Sequence, residues 1–189
     1  MPALDHLSKD AYPKSATYDA RWLVDLDMGP HPLWLLEDLA KDLDLRPGMR
    51  VLDLGSGLGA TSVFLAKEYG VNVVAADLWV DPTEAAGVFR KEGVDDRVLA
   101  MRVDAHALPF GRGSFDAIVS IDAWEYFGTG DHYPPYLATF LKPGGQLARG
   151  LEHLRPQRGD DDRERARAVH TDRRVHPVVL AVESDRLAP

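Results

Sequence analysis

Short, nearly continuous apolar runs alternate along the chain with segments whose apolar residues recur at three- and four-residue spacing, and elements can be read from that alternation. The opening stretch supports a helix only over about residues 18–26. The breaker cluster Gly29-Pro30-His31-Pro32 then leads into a helix over 32–43, with Leu33, Leu36, Leu39, Ala40 and Leu43 at helical spacing. Asp44-Leu45-Arg46-Pro47-Gly48 stops it. A strand is expected over 50–54, a helix from the following glycine-rich loop through Glu68 with Gly70 as its cap, and a second strand over 72–76. That second run is apolar almost throughout, as in a parallel strand covered by helices on both faces. Next come a helix over 83–92, a third strand over 98–103, a turn at Gly111-Arg112-Gly113-Ser114 and a fourth strand over 115–121. A loop over 128–135, a helix over 136–141 and the start of a fifth strand over 146–148 complete the readable part. The expected fold is α/β: a Rossmann-like, doubly wound, mostly parallel sheet with helices on both faces.

After that the rhythm fails. Between Arg149 and His176 half of the residues are charged, and no aromatic residue or lysine occurs after Lys142 although nine arginines do. Only 178–182 reads as a further strand, so the sheet is expected to lack or alter its last strands. A stretch so rich in Arg, Asp, His and Pro reads as translation of a GC-rich gene in the wrong frame, or as a disordered extension; sequencing the coding DNA separates the two. The chain thus divides into an N-terminal segment (1–29), a ligand-binding domain (30–148) and a charged, irregular tail (149–189).

The chemistry concentrates where the first strand meets the next helix. Val51-Leu52-Asp53-Leu54-Gly55-Ser56-Gly57-Leu58-Gly59 ends a strand in an acid and places glycines at alternate positions, as a sharp turn that approaches a ligand with its backbone requires. Gly55, Gly57 and Ala60 also satisfy the dinucleotide pattern, with Asp77 about 20 residues further on. Charge separates the two ligands. A pyrophosphate favours helix amides with no carboxylate beside them, whereas S-adenosylmethionine carries an ammonium and a sulfonium, and Asp53 suits the latter.

Three further blocks follow in order: Val73-Val74-Ala75-Ala76-Asp77; Asp104-Ala105-His106-Ala107-Leu108-Pro109-Phe110 with Ser114-Phe115-Asp116-Ala117-Ile118-Val119-Ser120; and Leu141-Lys142-Pro143-Gly144-Gly145-Gln146-Leu147. Over roughly residues 30–148 the chain resembles a class I S-adenosylmethionine-dependent methyltransferase, nearest in pattern to the methyltransferase-11 type, with cyclopropane-fatty-acid-synthase-like and ubiquinone-biosynthesis-like enzymes close by. The resemblance implies methyl transfer to a small-molecule acceptor by in-line displacement. It assigns Asp53 and the loop of Gly55, Ser56, Gly57 and Gly59 to the methionine part, Asp77 with Leu78 beside it to the ribose, Asp104 and the Ala105 amide to the adenine, and the Ser120 backbone to the amino group. It also implies a lid from 1–29, for which Tyr12, Tyr18 and Trp22 are candidates; ordinary helix packing is the alternative for each.

Position at the carboxyl end of the fourth strand singles out Asp122 as the catalytic base, with Glu125 and Tyr126 next and His132 and Tyr133 behind them. His106 reads as a surface or packing residue, and Asp104 also suits a turn cap. No metal is required. Two other readings remain open at this level: a catalytically inactive cofactor-binding remnant, and an NAD-binding oxidoreductase.

Composition narrows the partners. The formal net charge is −8, and the excess of acids lies before residue 149, which disfavours a nucleic-acid substrate. Cysteine is absent, no apolar run is long enough for a signal peptide or stable membrane insertion, and the expected location is the cytoplasm. An open sheet edge makes a homodimer conceivable.

Overall fold

The computed structural model describes residues 11–26, 31–128, 130–150 and 178–181. Helices α1 (Ala20–Leu26) and α2 (Pro32–Leu39) precede the alternating series β1 (Arg50–Leu54), α3 (Ala60–Tyr69), β2 (Asn72–Asp77), α4 (Pro82–Glu92), β3 (Val98–Arg102) and β4 (Phe115–Ile121). The short helix α5 (Tyr133–Ala138), β5 (Leu141–Gly150) and β6 (Val178–Ala181) follow. The strands form one six-stranded sheet in the order β3-β2-β1-β4-β5-β6. Five strands run parallel and β6 pairs antiparallel with β5. The order reverses between β1 and β4, and this switch point is where doubly wound sheets open a ligand crevice.

Period-two alternation gives the sheet two different faces. Val51, Val73, Ala75, Ala117 and Val119 point to a core shared with α1 to α4, where Leu33, Leu36, Phe64 and Phe89 are fully buried. Leu52, Leu54, Val74, Ala76 and Ile118 point to the other core, filled by α5 and by the Val103, Ala105 and Leu108 segment. The helices begin and end where sequence dictates. Asp81 caps α4 by accepting a hydrogen bond from the Thr83 amide at 2.8 Å, Pro82 occupies its first turn, and Gly93 ends it in the left-handed region.

Two expectations need correction. The helix expected at 136–141 starts three residues earlier, because Pro134 and Pro135 fall in its first turn, where no amide hydrogen is needed. Leu141 already pairs with Phe115 in β5, and the Pro143-Gly144-Gly145 stretch produces a register shift before Gln146 rejoins β4 opposite Ala117. The sheet also extends past residue 148, through Arg149 and Gly150 and into the antiparallel β6. The charged stretch 151–177 lies outside the described residues.

Candidate active site

Beyond the carboxyl ends of β1, β2 and β4 lies a cavity of about 960 Å³. The loop between β1 and α3 forms one side, with Gly55, Gly57 and Gly59 all in the left-handed region at φ 78°, 54° and 92°. The three glycines serve different ends. A Cβ at Gly55 would collide with that of Ala123, and one at Gly59 would strike the Phe89 ring of α4. At Gly57, which like Gly55 lines the cavity, a Cβ would meet no protein atom within 4 Å.

Asp77, at the end of β2, organises this wall. Its Oδ2 accepts from the Gly57 amide at 2.9 Å, and its Oδ1 accepts from the Trp79 and Val80 amides at 2.8 and 3.0 Å. One carboxylate therefore joins the glycine loop to the turn after β2 and still borders the cavity. Asp104 follows β3 in the same manner: it caps its own turn by accepting from the His106 amide at 2.8 Å and also lines the cavity, as do Ala105 and Leu78. Both roles weighed for Asp104 are thus compatible with its position.

The opposite wall follows β4. Asp122 has φ 48°, a left-handed conformation uncommon outside glycine, and its amide donates to the Gly150 carbonyl at 3.0 Å. This reversal turns the chain across the cavity, so that Asp122, Ala123, Glu125, Tyr126 and Phe127 line it. Tyr126 and Trp79 are 65% and 67% exposed, and their rings meet edge to face at 5.4 Å, joining the two walls at the mouth. His106 also bridges the walls: its Nε2 lies 3.1 Å from the Phe127 carbonyl oxygen.

Three residues assigned to the cofactor from sequence do not border the cavity. Asp53 lies on the α3 face of β1 and is 1% exposed; the Thr61 and Ser62 hydroxyls each donate to its Oδ2 at 2.6 Å. Burial pushes this carboxyl up to about 6, against the opposing effect of those two hydrogen bonds, and the charge of Asp77 adds to the rise. Asp53 therefore ties β1 to the first turn of α3, just beyond the glycine loop. Gly59 is turned toward Phe89. Ser120 is fully buried within the β4–β5 ladder opposite Arg149, because the strand continues one residue further; Ile121 and Asp122 reach the cavity instead.

The reserve bases and the lid aromatics also stand elsewhere. Tyr133 is buried, its hydroxyl donates to the Ala105 carbonyl at 2.9 Å, and burial raises its pKa above the usual phenol value. His132 precedes α5 away from the lining. Tyr12 stacks on Trp34, Tyr18 packs on Phe64 and donates to Glu68 at 3.1 Å, and Trp22 packs against the helical core. Packing is what these three do; from α1 only Leu26 borders the cavity. Sequence reading passed over Leu58, Trp79, Glu84, Arg102 and Phe127, which do line it. Trp79 was findable: it stands two residues beyond the strand-ending acid, in a loop that the fold delivers to the ligand crevice.

The cavity lining carries six carboxylates, Asp77, Asp81, Glu84, Asp104, Asp122 and Glu125, against one guanidinium, Arg102. A dinucleotide pyrophosphate would face this charge at close range, whereas a ligand with a sulfonium and an ammonium is matched by it. A family model described as mycolic acid cyclopropane synthetase matches residues 36–177. The chain belongs to that family. Its wider membership is that of the class I S-adenosylmethionine-dependent methyltransferases, with S-adenosylmethionine as cofactor.

Family relatives include methyltransferase GfsG of Streptomyces halstedii, 36% identical over 115 residues that cover 60% of this chain and 41% of the relative. The 27-O-demethylrifamycin SV methyltransferase of Amycolatopsis mediterranei is 34% identical over 138 residues, 71% of this chain and 51% of that one. The structure of a SAM-dependent methyltransferase from Geobacter sulfurreducens in complex with S-adenosyl-L-homocysteine superposes with a TM-score of 0.56 at 28% identity, covering 70% of this chain and 53% of that chain. The chain thus spans about half the length of the family members it matches. The family match continues to residue 177, through the charged stretch.

Proposed function

We propose that the chain catalyses methyl transfer from S-adenosylmethionine to a small-molecule acceptor. The observation that carries this reading is the pair of walls around the cavity. One is built from backbone turns and two hydrogen-bonded carboxylates, Asp77 and Asp104. The other is a strained turn that presents Asp122. Bound S-adenosylmethionine supplies a methyl carbon already activated by its sulfonium.

The protein's part is then to orient and to exclude water. Gly57 keeps its backbone clear for the methionine part, Asp77 accepts from the ribose hydroxyls, and Asp104 and Ala105 face the adenine. Ile121 and Asp122 take over the amino-group contact first assigned to Ser120. Asp122 receives the acceptor's proton where the acceptor carries one, with Glu125 and Tyr126 at the mouth as the next candidates. Trp79, Tyr126 and Phe127 limit entry of water.

The test is calorimetric titration with S-adenosylhomocysteine. Asp77→Ala should weaken binding by about 1.5–3 kcal/mol, the range for hydrogen bonds involving a charged group. Undiminished affinity in that variant would remove the basis of the assignment. Because Asp77 also holds two loops through backbone amides, Asp104→Asn serves as a second variant that leaves the Gly57 and Trp79 contacts in place.

A further inference from the structure

We propose that the methyl acceptor is an organic amine, captured as its ammonium ion at the Trp79–Tyr126 mouth and drawn toward the carboxylates of the β4 wall. The inference rests on the methyl-transfer reading above and names the class of its second substrate.

Two independent observations lead to it. The first is a surplus of negative charge. S-adenosylmethionine brings one net positive charge, and Asp77 and Asp104 stand on its side of the cavity. Asp81 has Arg102 at 3.5 Å. Glu84 and Glu125 line the cavity with no ion-pair partner among the described residues, and Asp122 lies beside Glu125 in the same wall. A carboxylate or phosphate acceptor would be repelled here, and a neutral alcohol could donate a hydrogen bond but would feel no net Coulomb attraction.

The second observation is the aromatic pair. Two large rings left two-thirds exposed at the mouth of an acidic cavity offer π faces to an incoming cation, and an alkylated ammonium, weakly hydrated, gains most from such faces. Steering by the carboxylates and capture by the rings act on the same functional group.

The step balances without a further reagent. The ammonium gives its proton to the Asp122 carboxylate, which passes it on to solvent. The freed nitrogen lone pair forms the N–C bond to the methyl carbon as the C–S bond breaks, and that electron pair stays on sulfur. The products are the methylated ammonium ion and S-adenosylhomocysteine.

The experiment is titration of the full chain, saturated with S-adenosylhomocysteine, with N-methyl-2-phenylethylamine and with the matched neutral alcohol 2-phenylethanol. The amine should bind several-fold more tightly than the alcohol, and raising the salt to about 0.5 M should erode the difference by screening. Glu125→Gln should weaken amine binding by about threefold. Tyr126→Leu should weaken it by about two- to fivefold. Each change should lower amine affinity by a larger factor than alcohol affinity, and a parallel, equal loss for amine and alcohol overturns the amine inference. Tight S-adenosylhomocysteine binding with equal affinity for amine and alcohol overturns the amine inference alone. No S-adenosylhomocysteine binding by folded protein overturns the methyl-transfer reading, and this proposal with it.

Discussion

The two walls of the cavity are held in different ways. On the β1–β2–β3 side every carboxylate at a strand end is tied down by backbone amides: Asp77 by those of Gly57, Trp79 and Val80, and Asp104 by that of His106. On the β4 side Asp122 sits in a left-handed turn, and Glu125 and Tyr126 project from a short 3₁₀ turn into solvent. The first wall is fixed by hydrogen bonds to the backbone of its own loops. The second is a platform whose exposed side chains set what is admitted, in keeping with a fold in which the scaffold is general and specificity resides in loops.

The contrast breaks most severely where the walls touch. Gly55→Ala places a methyl group against Ala123 at φ 78°, and should cost about 2–5 kcal/mol from strain and overpacking together, read as a lower urea midpoint. Gly57→Ala meets no protein atom and should cost only about 1–2 kcal/mol, the penalty of the left-handed conformation. It should nonetheless weaken S-adenosylhomocysteine binding roughly tenfold or more, since Gly57 lines the cavity and the new methyl has open space around it. If Gly55→Ala proves the milder of the two in urea, the contact between the walls is not what fixes that glycine.

Asp53 probes the foundation of the first wall. Its folded-state pKa of about 6 lies above the unfolded value of 3.8, so the folded protein holds this proton more tightly. The associated stability is fully present below about pH 4 and is lost as pH rises through 6, by at most about 3 kcal/mol. Asp53→Asn should remove that part of the pH dependence, so the difference in unfolding free energy between wild type and variant should change between pH 4 and pH 7. A pH-independent difference would mean that the Thr61 and Ser62 hydroxyls hold the carboxyl at its ordinary value.

The smallest effect concerns the tie between α5 and the loop that follows β3. Tyr133→Phe deletes the hydrogen bond to the Ala105 carbonyl and should lower stability by about 1 kcal/mol. Because α5 packs under the β4 wall while Ala105 borders the other, S-adenosylhomocysteine affinity should fall slightly as well.

Much of this was legible in the sequence because the signals were local. Boundaries at 50–54 and 115–121 match the strands, since apolar runs flanked by Gly and Pro leave little choice. Asp77, Asp104 and Asp122 line the cavity because parallel strands deliver their carboxyl ends to one crevice, a placement that strand order alone makes legible. Asp53 was misplaced for a reason that sequence contains only implicitly: on a strand, a shift of one residue changes the face, and Leu52 and Leu54 already occupied the face opposite α3. Ser120 failed by the same one-residue margin. The distinct duties of Gly55, Gly57 and Gly59 depend on Ala123 and Phe89, neighbours far along the chain that no local pattern reveals. Tyr12, Tyr18 and Trp22 have an aromatic composition that suits a lid and a core equally, and only contacts with Trp34 and Phe64 decide.

The antiparallel pairing of β5 with β6 has a topological consequence. β5 runs toward the cavity and ends at Gly150, whose carbonyl holds Asp122 in its turn, while β6 starts at Val178, next to Arg149. β5 therefore ends, and β6 begins, at the same end of the sheet, the ligand end. In evolutionary terms these two strand termini are neighbouring anchor points: backbone pairing alone fixes them, so side chains along this edge can change without rethreading any of the parallel strands.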